Sequence, residues 1–211
     1  MTTLHDNWTT TAELVSNFEN GSAEWLEQRM QGIGGSDVGT ILGANKYQTI
    51  TDLWAYKTRR TPGVETTAPM EWGNRLEPVV LDKFEESHPE FTLLRDVGTW
   101  RNLESPWQLA NPDAIAVSPI RNWLVEIKCA RYPWKDGVPM SYQWQVQWYM
   151  HVLGLDQAII AVLFGGNDYQ EFVIEANNYQ QEFAALYCKQ FLEYVYTDIP
   201  PDAWAMYGEE N

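Results

Sequence analysis

The order of apolar and polar positions divides the chain into a helical first part and a strand-rich second part. Before His88, apolar residues recur at helical spacing, most clearly at Leu76, Val79, Val80 and Phe84. The helices predicted from this part are 23–30, a short one that Ser36 caps, 52–60 and 70–86.

After His88 the pattern changes to short runs that are apolar throughout or alternate with polar residues. These runs predict strands at 91–100, 109–117, 123–129, 157–165 and 169–175, with helices at 140–153 and 177–196. This order is typical of an α/β domain in which helices flank a central mixed β-sheet. The 211 residues fit a single domain, 1–211, with a mainly helical part (1–88), a sheet with one helix (89–176), and a C-terminal helix and tail (177–211).

Composition excludes several classes of protein. No apolar run is long enough to span a bilayer, so we expect no contact with a membrane. Residues 1–18 lack the basic flank and apolar stretch of a signal peptide. Cys129 and Cys188 are far apart, which excludes a cysteine-bound zinc or iron–sulfur cluster within one chain and favours a reducing compartment, the cytoplasm.

The net charge of −15 is distributed unevenly along the chain. Residues 29–135 carry as many bases as acids, whereas residues 1–28 contain no base and residues 136–211 contain only Lys189. The acidity as a whole is typical of a soluble protein surface. Its distribution is also compatible with a locally basic groove within an acidic surface.

The most informative segment is the pair of predicted strands that carries Asp113, Glu126 and Lys128. Alternation along a strand places Glu126 and Lys128 on one face, opposite Val125 and Ile127. Burying these charges is costly unless they pair or hold a metal, and a hairpin would bring Asp113 beside Glu126. Two carboxylates and a lysine are what metal-assisted phosphodiester hydrolysis requires, and Mg²⁺ prefers oxygen ligands. From these residues alone, the alternative is a structural Glu–Lys pair at a sheet edge.

Pro112-Asp113, followed after twelve residues by Glu126-Ile127-Lys128, resembles the signature of the PD-(D/E)XK nucleases. The rest of the chain resembles one branch of that superfamily, the lambda-exonuclease-like or YqaJ-like phage recombination exonucleases. The similarity follows the family order through WLEQR (25–29), GGSDV (34–38), WGNRLE (72–77), the two strands and YQWQVQWYM (142–150). It implies a restriction-endonuclease-like core with an N-terminal helical region.

The resemblance also implies a catalytic set. Asp113 and Glu126 would hold two Mg²⁺ ions, which Mn²⁺ can replace, together with the backbone carbonyl of Ile127. Lys128 would be the catalytic lysine, and Glu77 would be an additional acidic residue near the metals.

On helix 140–153, Gln145 followed one turn later by Tyr149 matches the family pattern for the glutamine that faces the metals. Gln147 is the competing choice, and the sequence does not settle which of the two faces the site.

DNA-binding residues are implied in the same way. Arg29 and Ser36 resemble the pocket that grips a terminal 5′-phosphate, and an arginine beside a helix N-terminus suits an anion. Asn111 stands where the family tends to have a small hydroxyl residue, and its amide can still donate to a phosphate. Further contacts with DNA are expected from Lys46, Lys57, Arg59, Arg60, Gln147, Tyr149 and Met70, the last as an apolar wedge.

By resemblance, the chain is expected to be a 5′→3′ exonuclease that acts on linear double-stranded DNA with a 5′-phosphate, releases mononucleotides and leaves 3′ single-stranded tails. A homotrimeric ring, a single-strand annealing protein as partner, and a phage or prophage origin in a bacterial host are also implied.

Two alternatives remain at this point. The same core serves endonucleases and RecB-like nucleases, which dependence on a free 5′-phosphate would distinguish. The acidity would also suit a non-catalytic protein that mimics DNA, although such a mimic has no need for a lysine beside buried carboxylates.

Overall fold

The computed structural model describes residues 8–19, 21–62 and 66–202. The helices are α1 (Ala23–Arg29), α2 (Gly35–Ile41), α3 (Ile50–Lys57), α4 (Ala68–Ser87), α5 (Met140–Leu153) and α6 (Asn178–Thr197). The strands are β1 (Ala12–Ser16), β2 (Thr92–Arg95), β3 (Thr99–Asn102), β4 (Leu109–Ala110), β5 (Ala114–Val117), β6 (Asn122–Ala130), β7 (Gln157–Phe164) and β8 (Asp168–Glu175). All six helices were predicted, and α5 has the predicted bounds.

The main sheet has five strands in the order β2-β5-β6-β7-β8. Strands β6 and β7 are parallel, and the other neighbouring pairs are antiparallel. Parallel neighbours need a crossover connection, and α5 forms it between β6 and β7. The expectation of a mixed sheet in an α/β fold is therefore confirmed.

Each face of this sheet buries a separate apolar cluster. On one face Leu124 and Ile160 pack with residues of α2, α3, α5 and α6. On the other face Val125 and Ile127 pack with Phe84 of α4. The alternation predicted for β6 is therefore observed, and Glu126 and Lys128 lie on the face that α5 covers.

Two predicted strands are each split between two sheets. The predicted strand 91–100 breaks at Asp96 (φ 51°) and Gly98 (φ 77°), so β2 joins the main sheet while β3 joins a small sheet with β1 and β4. A side chain at Gly98 would also meet the carbonyl oxygen of Ser16 at 2.4 Å. The predicted strand 109–117 breaks at 111–113, where Pro112 cannot donate to a strand ladder. Strand β1 was not predicted.

Helix caps explain two differences in helix bounds. Helix α2 begins at Gly35 with Gly34 as its N-cap, so the prediction that Ser36 is the cap is wrong. The Asp37 carboxylate instead accepts a hydrogen bond from the Gly34 N–H at 3.0 Å. Helix α3 begins before the predicted residue 52 because Thr49 and Asp52 cap it reciprocally. None of the helices within the described residues has the length and apolar character needed to cross a membrane.

Candidate active site

Pairing of β5 with β6 brings Asp113 to the middle of β6. Ala114 lies opposite Val125, and Asp113, just before β5, accepts a hydrogen bond from the Ile127 N–H at 2.7 Å. The Asp113 carboxylate is therefore fixed by the backbone of the residue between Glu126 and Lys128. The hairpin geometry expected for this pair is confirmed.

Glu126 is the centre of a cluster of polar side chains. Its side chain is buried, with the residue 2% exposed, and its Oε1 accepts from Lys128 Nζ at 2.5 Å and from Gln145 Nε2 at 2.6 Å. Both donors converge on the same oxygen. Within the described residues, Glu126 Oε2 is buried and has no hydrogen-bond partner. A buried carboxylate oxygen without a donor is costly, and a bound cation would remove that cost.

The structure decides between the two glutamines of α5. Gln145 contacts Glu126, and its Nε2 also lies 3.4 Å from the hydroxyl of Tyr149. Gln147 is buried on the opposite side of the helix, where it donates to the Glu175 carbonyl and accepts from the Asn177 N–H. Gln147 therefore holds the start of α6, and the prediction that it contacts DNA is wrong.

Glu77 approaches the same cluster from α4. Partial burial and the negative charge of Asp113 together raise its pKa from 4.5 to about 7, although the positive charge of Lys128 opposes them. This electrostatic coupling places Glu77 within reach of the charges at the site. Its position agrees with the expected additional acidic residue, whose role stays a prediction.

Burial also shapes the ionisation of the central residues. Desolvation and the neighbouring Asp113 raise the pKa of Glu126 from 4.5 to about 8, which Lys128 offsets only in part. Desolvation also raises the pKa of Asp113. Burial by itself lowers the pKa of Lys128, but the carboxylates of Glu126 and Asp113 raise it above the ordinary value. Lys128 therefore stays positively charged, and the pKa values of the neighbouring Glu126 and Asp113 are higher than usual.

The donor set suits a cation that needs few protein ligands. Among the described residues, no three His, Cys, Asp or Glu side chains converge closely enough to bind one metal ion. The available groups are the carboxylates of Asp113 and Glu126 and the carbonyl of Ile127, the residue that follows Glu126 on β6. Mg²⁺ keeps several waters and takes one or two protein carboxylates, so this set fits it better than a zinc site.

A second polar cluster joins α1, α2 and α3. Arg29 Nη2 donates to Ser36 Oγ at 2.7 Å and lies 3.4 Å from Asp37 Oδ1. Lys57 is 6% exposed, and its Nζ contacts Asp37 Oδ2 at 2.8 Å and the carbonyls of Arg29 and Gly32 at 2.7 Å. The expectation that Lys57 contacts DNA is wrong, because all three of its donors are used inside the protein.

The two polar clusters adjoin at Gly35. A side chain there would meet Tyr149 Cε1 at 2.6 Å and Gln145 Cγ at 2.9 Å, so only glycine allows α2 to approach α5 this closely. Ser36 follows directly. The Arg29–Ser36 cluster therefore lies one helix contact away from the glutamine that holds Glu126.

The other residues expected to contact DNA lie in different settings. Tyr149 is buried between the two clusters, so its expected role in contacting DNA is replaced by one in packing. The Asn111 amide donates to Thr99 Oγ1. Arg59 and Arg60 are exposed but pair with Glu27 and Asp198, Lys46 is exposed, and Met70 is exposed near the start of α4.

Comparison with known proteins identifies the family of this chain. Residues 24–156 match the family model described as the YqaJ-like viral recombinase domain. The chain belongs to the YqaJ-like viral recombinase family. YqaJ of Bacillus subtilis (strain 168), itself uncharacterized, is 37% identical over an alignment of 164 residues that covers 74% of this chain and 50% of YqaJ. The chain thus spans about half the length of that relative.

Solved structures share the fold of this YqaJ-like chain. An alkaline exonuclease from Laribacter hongkongensis superposes with a TM-score of 0.69 at 21% identity, covering 84% of this chain and 94% of that one. A phage-related exonuclease from Haemophilus somnus 129PT has a TM-score of 0.58 at 14% identity, covering 79% and 96%. The family resemblance and the expected fold are confirmed.

The raised pKa of Glu126 predicts how the stability of the metal-free YqaJ-like protein depends on pH. In the folded protein the pKa of Glu126 is raised to about 8, whereas the ordinary value for the unfolded chain is 4.5. The free energy of unfolding should therefore fall as the pH rises between these values. Urea unfolding in EDTA at several pH values measures this slope. Glu126→Gln should reduce this fall in the free energy of unfolding by about 1 kcal/mol or more over the range. An unchanged pH dependence would contradict the raised pKa of Glu126.

Two residues of these clusters were not predicted from the sequence. Tyr142 places its ring 5.1 Å from Lys128 Nζ, and Asp37 holds both Arg29 and Lys57. The position of Asp37 three residues after the N-cap was a signal for the cap, but nothing in the local sequence pointed to its burial.

Proposed function

We propose that this chain is a Mg²⁺-dependent 5′→3′ exonuclease on linear double-stranded DNA that releases 5′-mononucleotides and leaves 3′ single-stranded overhangs. The observation that carries the proposal is the Glu126 carboxylate, which has one oxygen held by Lys128 and Gln145 and the other oxygen buried without a donor. The fold shared with alkaline exonucleases, one of which has been crystallised with dAMP, supports a DNA substrate and a mononucleotide product.

Each residue of the cluster has a separate task in the proposed reaction. Asp113, Glu126 and the Ile127 carbonyl would hold Mg²⁺, for which Mn²⁺ substitutes, and the bound ions would polarise the phosphodiester and acidify water. Lys128 would stabilise the negative charge that develops on the phosphate. Gln145 fixes the rotamer of Glu126, and Glu77 is placed to accept a proton because its pKa lies near neutrality.

Arg29 and Ser36 would recognise the 5′-phosphate. Arg29 already donates to Ser36 and faces Asp37 at the longer distance of 3.4 Å, so its guanidinium can turn toward a stronger acceptor. Because the adjacent Gly35 packs closely against Gln145, an end bound there would lie next to the hydrolytic cluster. An end-binding pocket beside the site favours an exonuclease over an endonuclease.

A homotrimeric ring around DNA, a single-strand annealing protein as partner and action in the cytoplasm of a phage-infected bacterium complete the proposal. The ring would account for the concentration of basic residues in 29–135 while acidic segments face solvent. Sedimentation equilibrium tests it, because a mass of one chain at micromolar concentration with DNA present would contradict a ring.

Arg29→Ala tests the proposed end recognition. We expect the variant to lose about 10- to 100-fold in kcat/KM on duplexes with a 5′-phosphate, and to change little on 5′-hydroxyl duplexes. Release of labelled mononucleotide from the 5′ end measures both rates. Arg101→Ala, which removes a partly exposed arginine of β3 that pairs with Glu13, is the matched control. An equal loss on both ends, or release from 3′ ends, would contradict 5′-phosphate recognition.

A further inference from the structure

The positive charges of this acidic protein are mostly neutralised by neighbouring carboxylates. Arg59, Arg60, Arg75, Arg95 and Arg101, for example, each lie within 2.9 Å of an acidic oxygen. The cations that have no carboxylate partner among the described residues are Lys46, Arg121, Arg131, Lys135 and Lys189. These side chains mark where the protein can offer positive charge to a ligand.

Three of these cations lie in two loops beside the catalytic cluster. Arg131 and Lys135 belong to the loop 131–139, which begins three residues after Lys128, and Lys46 belongs to the loop 42–49. Both loops flank the first turn of α5, as contacts of Ser141 and Tyr142 in that turn show.

On one side of this turn, a side chain at Gly39 would meet Ser141 Cβ at 3.2 Å, and the Ala44 and Asn45 N–H groups donate to the Gly39 carbonyl. On the other side, the Tyr142 ring lies 5.6 Å from Trp134 and 5.1 Å from Lys128 Nζ. Both loops therefore adjoin the first turn of α5, whose Tyr142 ring contacts Lys128 of the catalytic cluster.

Each loop also exposes a tyrosine next to its cation. Tyr47 is 84% exposed and lies 4.9 Å from Lys46 Nζ, and Tyr132 is 68% exposed and lies 5.2 Å from the Arg131 guanidinium. Trp134, in contrast, is anchored against Phe164 and Phe172. The loop 131–139 is thus fixed by its tryptophan and presents its tyrosine to solvent.

We propose that Lys46, Tyr47, Arg131, Tyr132 and Lys135 form a binding surface for single-stranded DNA, which we call the two-loop surface. Cations without acidic partners can bind the phosphate backbone, and exposed tyrosine rings can stack on the faces of unpaired bases. Bases in a duplex have no free faces, so the exposed rings favour an unpaired strand. This inference rests on the proposed exonuclease activity, which would produce such a strand beside the site. It changes the partner expected for Lys46 from duplex to single-stranded DNA.

Binding without hydrolysis tests the two-loop surface. The full chain is titrated in EDTA against a fluorescent oligothymidine, and anisotropy is measured over a range of salt concentrations. The charge variant Lys46→Gln/Arg131→Gln/Lys135→Gln should bind at least about 10-fold more weakly, and the slope of log K against log salt should become shallower by about 2. Tyr47→Ala/Tyr132→Ala should bind at least about 5-fold more weakly with an unchanged slope.

The control is Arg121→Gln/Lys189→Gln, which removes unpaired cations just before β6 and on α6, outside the two loops, and should leave the affinity within about twofold. An equal loss in this control would show that overall charge alone attracts DNA and would overturn the proposal. An equal loss in affinity for a blunt, hairpin-closed duplex would also overturn it. The proposed exonuclease and the two-loop surface can fail separately. A protein that digests no DNA but shows this binding pattern would contradict the exonuclease and still support the two-loop surface.

Discussion

Lys128→Ala is expected to lower the rate of duplex digestion by about 10²- to 10³-fold with little change in DNA affinity. The ammonium of Lys128 is one of two donors to Glu126 Oε1 and is kept charged by the surrounding carboxylates. Its removal takes away the charge that we propose stabilises the transition state, and it leaves Glu126 with the Gln145 amide as donor. Single-turnover rates at saturating Mg²⁺ separate this effect from metal affinity.

Two further variants sharpen this prediction. Lys83→Ala removes an exposed lysine of α4 that pairs only with Glu86, so it should retain normal activity. Lys128→Arg keeps the charge but not the compact ammonium, so it should recover only part of the rate. A Lys128→Ala protein that is folded and digests DNA at nearly the normal rate would remove Lys128 from the mechanism.

Lys57→Met is expected to destabilise the protein by about 3–5 kcal/mol. Lys57 is buried, and it joins α3 to Asp37 and to the carbonyls of Arg29 and Gly32. Without it, the buried Asp37 carboxylate keeps only the longer contact with Arg29 as a cationic partner. Urea unfolding at neutral pH gives the free energy of unfolding for both proteins.

A second substitution separates loss of charge balance from loss of packing. Lys57→Met/Asp37→Asn removes both charges while the asparagine can still accept from the Gly34 N–H. The double variant should therefore be more stable than Lys57→Met alone. A double variant less stable than the single variant would show that Lys57 contributes mainly through its carbonyl contacts rather than through Asp37.

Strand β6 and its polar face could be predicted because the pattern that shows them is local. Alternation alone placed Glu126 and Lys128 on one face of β6, and the nearby Pro112-Asp113 indicated the hairpin partner. The local sequence could not show whether Gln145 or Gln147 faces Glu126. Residues two apart on a helix point in nearly opposite directions, so the answer depended on how α5 is rotated against the sheet.

Other features depended on distant partners that the sequence does not reveal. Lys57 follows Tyr56 on a short helix and has the pattern of a solvent-exposed cation, but Asp37 and two backbone carbonyls from another part of the chain enclose it. The predicted strand 91–100 is similar, because its change of sheet at Asp96 and Gly98 follows from the pairing of β3 with β1.

The most direct test of the proposed exonuclease is digestion of a linear 5′-phosphorylated duplex beside a covalently closed circle of the same sequence. The wild-type protein and Lys128→Ala are each incubated with Mg²⁺, with Mn²⁺ and with EDTA. We predict that only the linear DNA is shortened from its 5′ ends, only by the wild-type protein and only with metal. Cutting of the closed circle would indicate an endonuclease, and no cutting with either metal would contradict the assignment of Asp113, Glu126 and Lys128 as a hydrolytic centre.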